Sequence, residues 1–267
     1  MFTRIFLLSF SCLASPFARA DLPPCEAVSG AEAKQGVKHE AQVDNTLFDA
    51  VLRERVRDGL VDYVALKTDA RLADYLAALE KIDPATLPRS QRLSYWINTY
   101  NAATLKLMAD AWPVASIMKI NGGKPWDVPV FQPAGSAERL TLNQIEHTMI
   151  RKGFAEPRVH FALVCAAKSC PPLRSEAYTG DRISAQLSEQ ARIFLRNPSS
   201  NTYDAKAHTL RLNPLFQWYA TDFGGETGTP GFVMKYLADE DRDALKRFSR
   251  EPDLVFGDYD WTPNAQP

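Results

Sequence analysis

The stretch VHFALVCAAKSCPP, Val159 to Pro172, carries the densest chemistry in the chain and the pattern on which the fold turns. A His opens an apolar run, a Cys closes it, and a second Cys follows in a loop that ends on two prolines. Val159, Phe161 and Leu163 alternate with His160, Ala162 and Val164, and five of those six residues are apolar. Side chains alternate between the two faces of a strand, so RVHFALVC (residues 158–165) reads as a strand buried on both faces and hence central.

Working upstream, TLNQIEHTMIRKGF (residues 141–154) reads as a helix. Thr141 with Gln144 three residues on makes a capping-box start. Its apolar arc holds Leu142, Ile145, Met149 and Ile150, with Glu146 in the middle and His147 at the flank. A carboxyl on a core-facing stripe is costly unless paired or hydrogen-bonded, and such broken rules concentrate at functional sites. Before it, WDVPVFQPAGSAERLTL (residues 126–142) reads as a hairpin. SQRLSYWINTYNAATLKLMADAW (residues 90–112) is the longest helix, capped by Ser90 and stopped by Pro113. At about 100° per residue, Trp96, Leu107, Tyr100, Leu93, Ile97 and Met108 form one stripe. Asn101 lies at its edge and Asn98 further round, toward solvent. The chain's ordered part begins near Asp44. LFDAVLRERV and RLADYLAALEKI repeat apolar residues at helical spacing, with a break at Gly59 and a short strand LVDYVAL between them.

Downstream, DRISAQLSEQARIFLRN (residues 181–197) is helical, and TYDAKAHTLRL (residues 202–212) is a hairpin with His208 read as a surface residue. NPLFQWYATDF starts with the Asn213-Pro214 cap and first-turn proline of a helix. Two short helices and a terminal strand, DLVFGDYDW, complete the pattern. Helices and strands mix without regular βαβ alternation. The expectation is therefore a single α+β domain with helices packed on a small mixed or antiparallel sheet.

The 267-residue chain opens with MFTRIFLLSFSCLASPFARA, a basic start, a short apolar stretch and the small-x-small pattern Ala18-Arg19-Ala20. Residues 1–20 read as a signal peptide cleaved near Ala20, residues 21–43 as a flexible arm, and residues 44–267 as the domain. A periplasmic or secreted location is the expectation. Removing Arg4 and Arg19 leaves 29 basic and 32 acidic side chains, a net charge of −3. That balance gives no basic face for nucleic acid, and no later segment is long and apolar enough for an integral membrane span. Cys25, Cys165 and Cys170 survive processing, in a compartment where thiols pair. An odd count leaves one free or paired between chains. Either Cys165 bonds Cys170, or Cys25 ties the arm to Cys170 and leaves Cys165 free. No Gly-rich phosphate loop occurs, so no nucleotide cofactor is expected and none is assigned. Asp222-Phe223-Gly224 stands without any other kinase part.

YWINTYNA, TLNQIEH, HFALVCAAKSCPPLR, FQWYATDF and the final YDW resemble, in this order, the family catalogued as domain of unknown function 547. The resemblance runs from about Asp62 to about Trp261 and implies no activity by itself. A kinship of fold with papain-like or transglutaminase-like thiol enzymes would make Asn101, Glu146, His147, His160 and Cys165 the pattern positions. The nucleophile would then follow the long helix and lie at a strand end, whereas papain carries its own at a helix start.

Four chemistries compete for these residues. In the first, Cys165 is the nucleophile of a thiol-dependent hydrolase or acyltransferase acting on amide, peptide or thioester bonds, with a peptide or protein as substrate or partner. His160 or His147 would be the base, Glu146 the orienter and Asn101 a polar support. On one regular strand His160 and Cys165, five apart, point to opposite faces, so their pairing requires the strand to end or bulge near Val164. In the second, the protein is a non-catalytic binding or scaffolding module in which the same groups form a satisfied buried network. In the third, His147, His160, Cys165, Cys170 and Glu146 hold a metal, although the close Cys or His pairs of structural zinc sites are missing. In the fourth, Cys165 and Cys170 form a redox pair, whose four intervening residues depart from the two-residue spacer usual at such sites.

Overall fold

Helix α1 (Thr46–Arg55) opens the computed structural model, which describes residues 43–267. Residues 1–42, with the expected signal peptide, nearly all of the expected arm and Cys25, therefore lie outside the described residues. Strands β1 (Val56–Arg57) and β2 (Leu60–Val61) form a two-stranded antiparallel pair around Gly59, whose φ is 79°. A Cβ on Gly59 would stand 2.6 Å from Cβ of Pro172, so only glycine fits where this turn touches the end of the cysteine loop. The expected strand 60–66 stops at Val61. The Asp62 carboxylate accepts from Ala65 N–H at 2.9 Å and starts the short helix α2 (Tyr63–Leu66) instead. Helix α3 (Ala70–Leu79) follows, capped by Asp69.

Helix α4 (Arg89–Ala111) is the axis of the domain. Leu93, Trp96, Ile97, Tyr100 and Met108 are buried as the periodicity predicts, but so are Tyr95, Asn98, Thr99, Ala102 and Leu105. The helix is covered nearly all round by α2, α3, the hairpin at residues 129–141, the helix that follows it at 144–151, and a later helix at 183–195. The expectation that Asn98 faces solvent is thus corrected. Its amide donates to Tyr178 C=O at 2.8 Å and accepts from Tyr178 N–H at 2.9 Å. The Ser90 cap is also corrected: α4 begins at Arg89 behind Pro88, with no side-chain cap.

The hairpin forms as expected, β3 (Pro129–Phe131) against β4 (Leu140–Thr141), with a bulge between Pro129 and Phe131. The capping box is present in both directions. Gln144 N–H donates to Thr141 Oγ1 at 3.1 Å, and Thr141 N–H donates to Gln144 Oε1 at 2.8 Å. The helix behind it is wound as a π-helix, Gln144–Arg151, continued by α5 (Lys152–Phe154). Such wide turns recur at functional sites.

The central strand expected at 158–165 does not form. Pro157–Phe161 is a 3₁₀ turn, with Pro157 in its first turn and the Glu156 carboxylate accepting from Arg158 N–H at 3.1 Å. The segment after it is irregular. It is apolar on all sides because it joins two cores. Val159, Ala162, Leu163 and Val164 pack into the cluster around α4. Phe161, fully buried, packs among Phe194, Phe216, Phe223 and Phe232 in a second cluster. Its backbone pairs with a side chain rather than a neighbouring strand, since Asn101 takes both Ala162 C=O (2.9 Å) and Val164 N–H (3.0 Å).

Helix α6 (Ile183–Leu195) leads to β5 (Thr202–Asp204) and β6 (Thr209–Leu212), then α7 (Leu215–Trp218), which starts where Asn213 Oδ1 accepts from Leu215 N–H at 3.0 Å. Helices α8 (Gly225–Met234) and α9 (Asp239–Leu245) precede β7 (Asp253–Phe256). Strand β6 pairs antiparallel with β5 and parallel with β7, so the strands form two separate hairpins and one three-stranded mixed sheet. The class is α+β, as expected from the element pattern. His208 is buried and not a surface residue. It stacks on Phe248 at 3.8 Å, with its ring nitrogens on Tyr203 Oη (2.9 Å) and Arg250 C=O (2.8 Å). Among the described residues no helix is long and apolar enough to cross a membrane.

Candidate functional site

A cavity of about 340 Å³ opens at the junction of α4, the π-helix, the cysteine loop, α7 and the C-terminal tail. Its wall includes Tyr100, Trp126, Glu146, Cys165, Cys170, Trp218, Tyr219, Tyr259 and Trp261. Glu146 is the odd residue of the π-helix's apolar arc. It is buried, and Tyr219 donates to its Oε1 at 2.6 Å. The loop bearing the two cysteines is held from below by Asn101. From above, Lys168 N–H donates to Thr262 C=O at 2.8 Å and Asp260 N–H to Ser169 Oγ at 2.8 Å. Just after Cys165 the backbone turns through the left-handed region at Ala166 (φ 57°), strain of about 1 kcal/mol for a non-glycine residue. The tail that pins the loop also delivers Tyr259 and Trp261. It is anchored on the far side of α2, where Tyr63 Oη donates to Asn264 Oδ1 at 2.8 Å and Asn264 donates to Gly59 C=O at 3.0 Å.

The two sulfurs stand 2.8 Å apart, against about 2.05 Å in a disulfide bond, and both are free thiols. Cys165 N–H and its S–H both point at Cys170 Sγ, and Tyr259 Oη lies 3.0 Å from Cys165 Sγ. Burial raises both thiols. For Cys165 burial prevails and holds its pKa well above the ordinary value. For Cys170 the hydrogen bonds from Cys165 and Tyr259 outweigh burial and hold it below. Those hydrogen bonds favour the thiolate form on Cys170 over Cys165.

No imidazole nitrogen among the described residues hydrogen-bonds either sulfur. His160 is buried behind Tyr219, stacked on its ring at 4.0 Å, and its Nε2–H donates to Asp222 at 2.7 Å. Asp222 takes two bonds from Arg151, at 2.6 and 2.9 Å, and a second arm of Arg151 reaches His147 Nδ1 at 2.9 Å. The Arg151 guanidinium, the largest influence, holds the Asp222 carboxyl down to about 2. Of the residues singled out from the sequence, then, Glu146 and Cys165 line the cavity and Cys170 joins them. His160 and His147 belong to an ion network behind it, and Asn101 positions the loop. Arg151, Tyr259, Trp126 and Trp261 carry no signal in the periodicity, and Asp222 stands out only as the first residue of Asp222-Phe223-Gly224. Trp218 and Tyr219 read from their spacing as helical core, as Trp96 and Tyr100 do; instead Trp218 and Tyr219 line the cavity with Tyr100, and Trp218 is half-exposed. Among the described residues no group of three or more His, Cys, Asp or Glu is arranged to hold a metal.

His160 makes the fold acid-sensitive. Burial holds its pKa below the ordinary 6.5, against the upward pull of Asp222 and Glu146 and together with the Arg151 charge. A neutral buried imidazole contributes stability that is fully present above the unfolded value and is lost as pH falls through the lower folded one. The melting temperature is therefore expected to fall as pH drops below the ordinary imidazole value, and His160→Gln to flatten that slope. An unchanged slope in His160→Gln would assign it to other groups. Asp222 acts in the same direction but lower, between about 4 and about 2.

No curated protein and no solved structure matches this chain. The family model for a protein of unknown function, DUF547, matches residues 84–195. That span holds α4, the π-helix and both cysteines but ends before Trp218, Tyr219, Tyr259 and Trp261 of the cavity wall. Over residues 84–195, which carry Asn101, Glu146, His147, His160, Cys165 and Cys170, the chain resembles the DUF547 family.

Proposed function

We propose that Cys165 and Cys170 act as a dithiol–disulfide exchange pair. The observation that carries the reading is the 2.8 Å approach of the two sulfurs at a cavity wall, with hydrogen bonds that favour thiolate on Cys170. The Cys170 thiolate attacks one sulfur of a partner's disulfide and expels the other as a thiolate, which takes up a proton. Cys165 then loses its proton and attacks Cys170 Sγ, releasing the second partner thiol and closing the Cys165–Cys170 bond. The partner disulfide is the oxidant, two electrons pass to it, and no base beyond the pair and Tyr259 is required. An exported, oxidising location, the reading of residues 1–20, would supply such disulfides.

Acyl transfer by Cys165 remains the second reading, motivated by the partial exposure of that sulfur to the same cavity. It needs a base at sulfur, and both candidate imidazoles are engaged with Asp222 and Arg151. The two readings separate in a redox titration of the full chain against glutathione, with free thiols counted and the bond located by peptide mass spectrometry. Exchange predicts a two-electron transition that joins Cys165 to Cys170, with a midpoint between about −270 and −120 mV, the range of exchange-active pairs. A bond from Cys170 to Cys25, or a midpoint below about −300 mV as in structural disulfides, would overturn it.

A further inference from the structure

The cavity beside the sulfurs has an unusual wall. Six of its residues are aromatic: Tyr100, Trp126, Trp218, Tyr219, Tyr259 and Trp261. Four of these form one continuous surface. Ring centroids are 4.5 Å apart for Tyr259–Trp261, 4.8 Å for Trp218–Tyr259, 5.8 Å for Trp218–Trp261 and 5.9 Å for Trp126–Trp261. Trp126 is turned by its indole N–H, which donates to Tyr100 Oη at 3.1 Å. The wall contains no Lys, Arg or His. Its one carboxyl, Glu146, is only 5% exposed, and among the described residues it receives a hydrogen bond from Tyr219 but no ion pair. Arg151 lies close by, yet it is spent on Asp222 and His147, with its guanidinium over the Tyr219 ring at 4.9 Å.

A buried carboxyl is costly unless hydrogen-bonded or met by a cation, and Glu146 has the Tyr219 hydroxyl on one side and the open cavity on the other. Aromatic faces carry negative potential and attract cations, most strongly when water is excluded. An aromatic wall with one carboxyl and, among the described residues, no basic side chain therefore disfavours anions and favours an organic cation. We infer that this cavity binds a small organic ammonium group, quaternary or alkylated, seated against Trp218, Tyr259 and Trp261 with its charge toward Glu146. The volume suits a small-molecule headgroup or an ammonium-bearing side chain of a larger partner. The inference deepens the exchange reading, since the ammonium would lie beside the thiols, but the cage itself does not use the sulfurs.

The test compares choline with 3,3-dimethylbutan-1-ol, the neutral isostere that replaces nitrogen by carbon, by calorimetry and tryptophan fluorescence on the full chain. Choline is expected to bind at least tenfold more tightly than the isostere. Glu146→Gln keeps the shape and the Tyr219 contact, and is expected to weaken choline at least tenfold with little effect on the isostere. Trp218→Leu, at a half-exposed position, is expected to weaken choline about threefold or more while the fold survives. Equal affinity for the two probes, or no binding of either, would overturn the inference. Repeating the titration on a Cys165→Ser, Cys170→Ser chain separates the two proposals. Retained choline binding there supports the cage whatever the redox outcome, and its loss ties the cage to the sulfurs and overturns its independence.

Discussion

Replacing Asn101 with leucine is expected to lower the melting temperature by about 10 °C and to make Cys165 alkylate at least tenfold faster in the folded protein. The Asn101 side chain is buried, and its two hydrogen bonds pair Ala162 C=O and Val164 N–H, which no strand does among the described residues. Leucine fills the same space but leaves Ala162 C=O and Val164 N–H buried without partners. Each orphaned group costs about 1–3 kcal/mol, so about 3–5 kcal/mol in total is expected. For a domain of this size that is about 2–4 °C per kcal/mol. Asn98→Leu provides the control. It breaks an equivalent clamp, on Tyr178, and should cost similar stability without changing the thiols, because Tyr178 lies outside the cysteine loop. Thermal melting with timed iodoacetamide labelling measures both effects. A melting temperature within about 2 °C of wild type would show that water replaces the clamp.

The second large effect is expected at Asp222. This carboxylate ties the end of the π-helix, through Arg151, to the 3₁₀ turn that carries His160, and the pair is three-quarters buried on both sides. Removing one member of such a pair strands the other. Asp222→Ala leaves the Arg151 guanidinium without its two-armed partner and the His160 N–H with nothing to donate to. A loss of about 2–4 kcal/mol is expected by urea unfolding at pH 7. Asp222→Asn keeps an acceptor for His160 and loses the charge, so about half that loss is expected. The consequence reaches the cavity, because His160 and Arg151 both lie against the Tyr219 ring that hydrogen-bonds Glu146. Choline affinity should fall with Asp222→Ala although Asp222 is not in the cavity wall. Equal losses in Ala and Asn would point to packing rather than charge.

The sequence pattern is a good guide to the α+β class, to the β3–β4 and β5–β6 hairpins, and to Glu146. The capping box at Thr141 and the apolar arc behind it require a buried carboxyl at 146, and both are local properties. The misreadings share a cause. The alternating apolar residues at 159–164 predict a strand, since both of its faces must be buried. They are buried, but between two cores and by a helical asparagine instead of a sheet. Asn98 and His208 were placed at the surface because a single element viewed alone has an outside. Here α4 is enclosed on all sides, and Phe248 closes over the His208 hairpin.

Periodicity and turn chemistry act over a few residues, and they were enough to specify the helices, the caps and the one acid set among apolar neighbours. The company that acid keeps was decided elsewhere. Tyr219 comes from 73 residues downstream to meet Glu146, and Tyr259 from 94 residues downstream to meet Cys165. Those meetings depend on a tail anchored at Gly59 and Tyr63 and threaded past the cysteine loop. Contacts of such span leave no period in the sequence, because they are set by the summed packing of every element between them. The cavity and its paired thiols therefore belong to the tertiary fold.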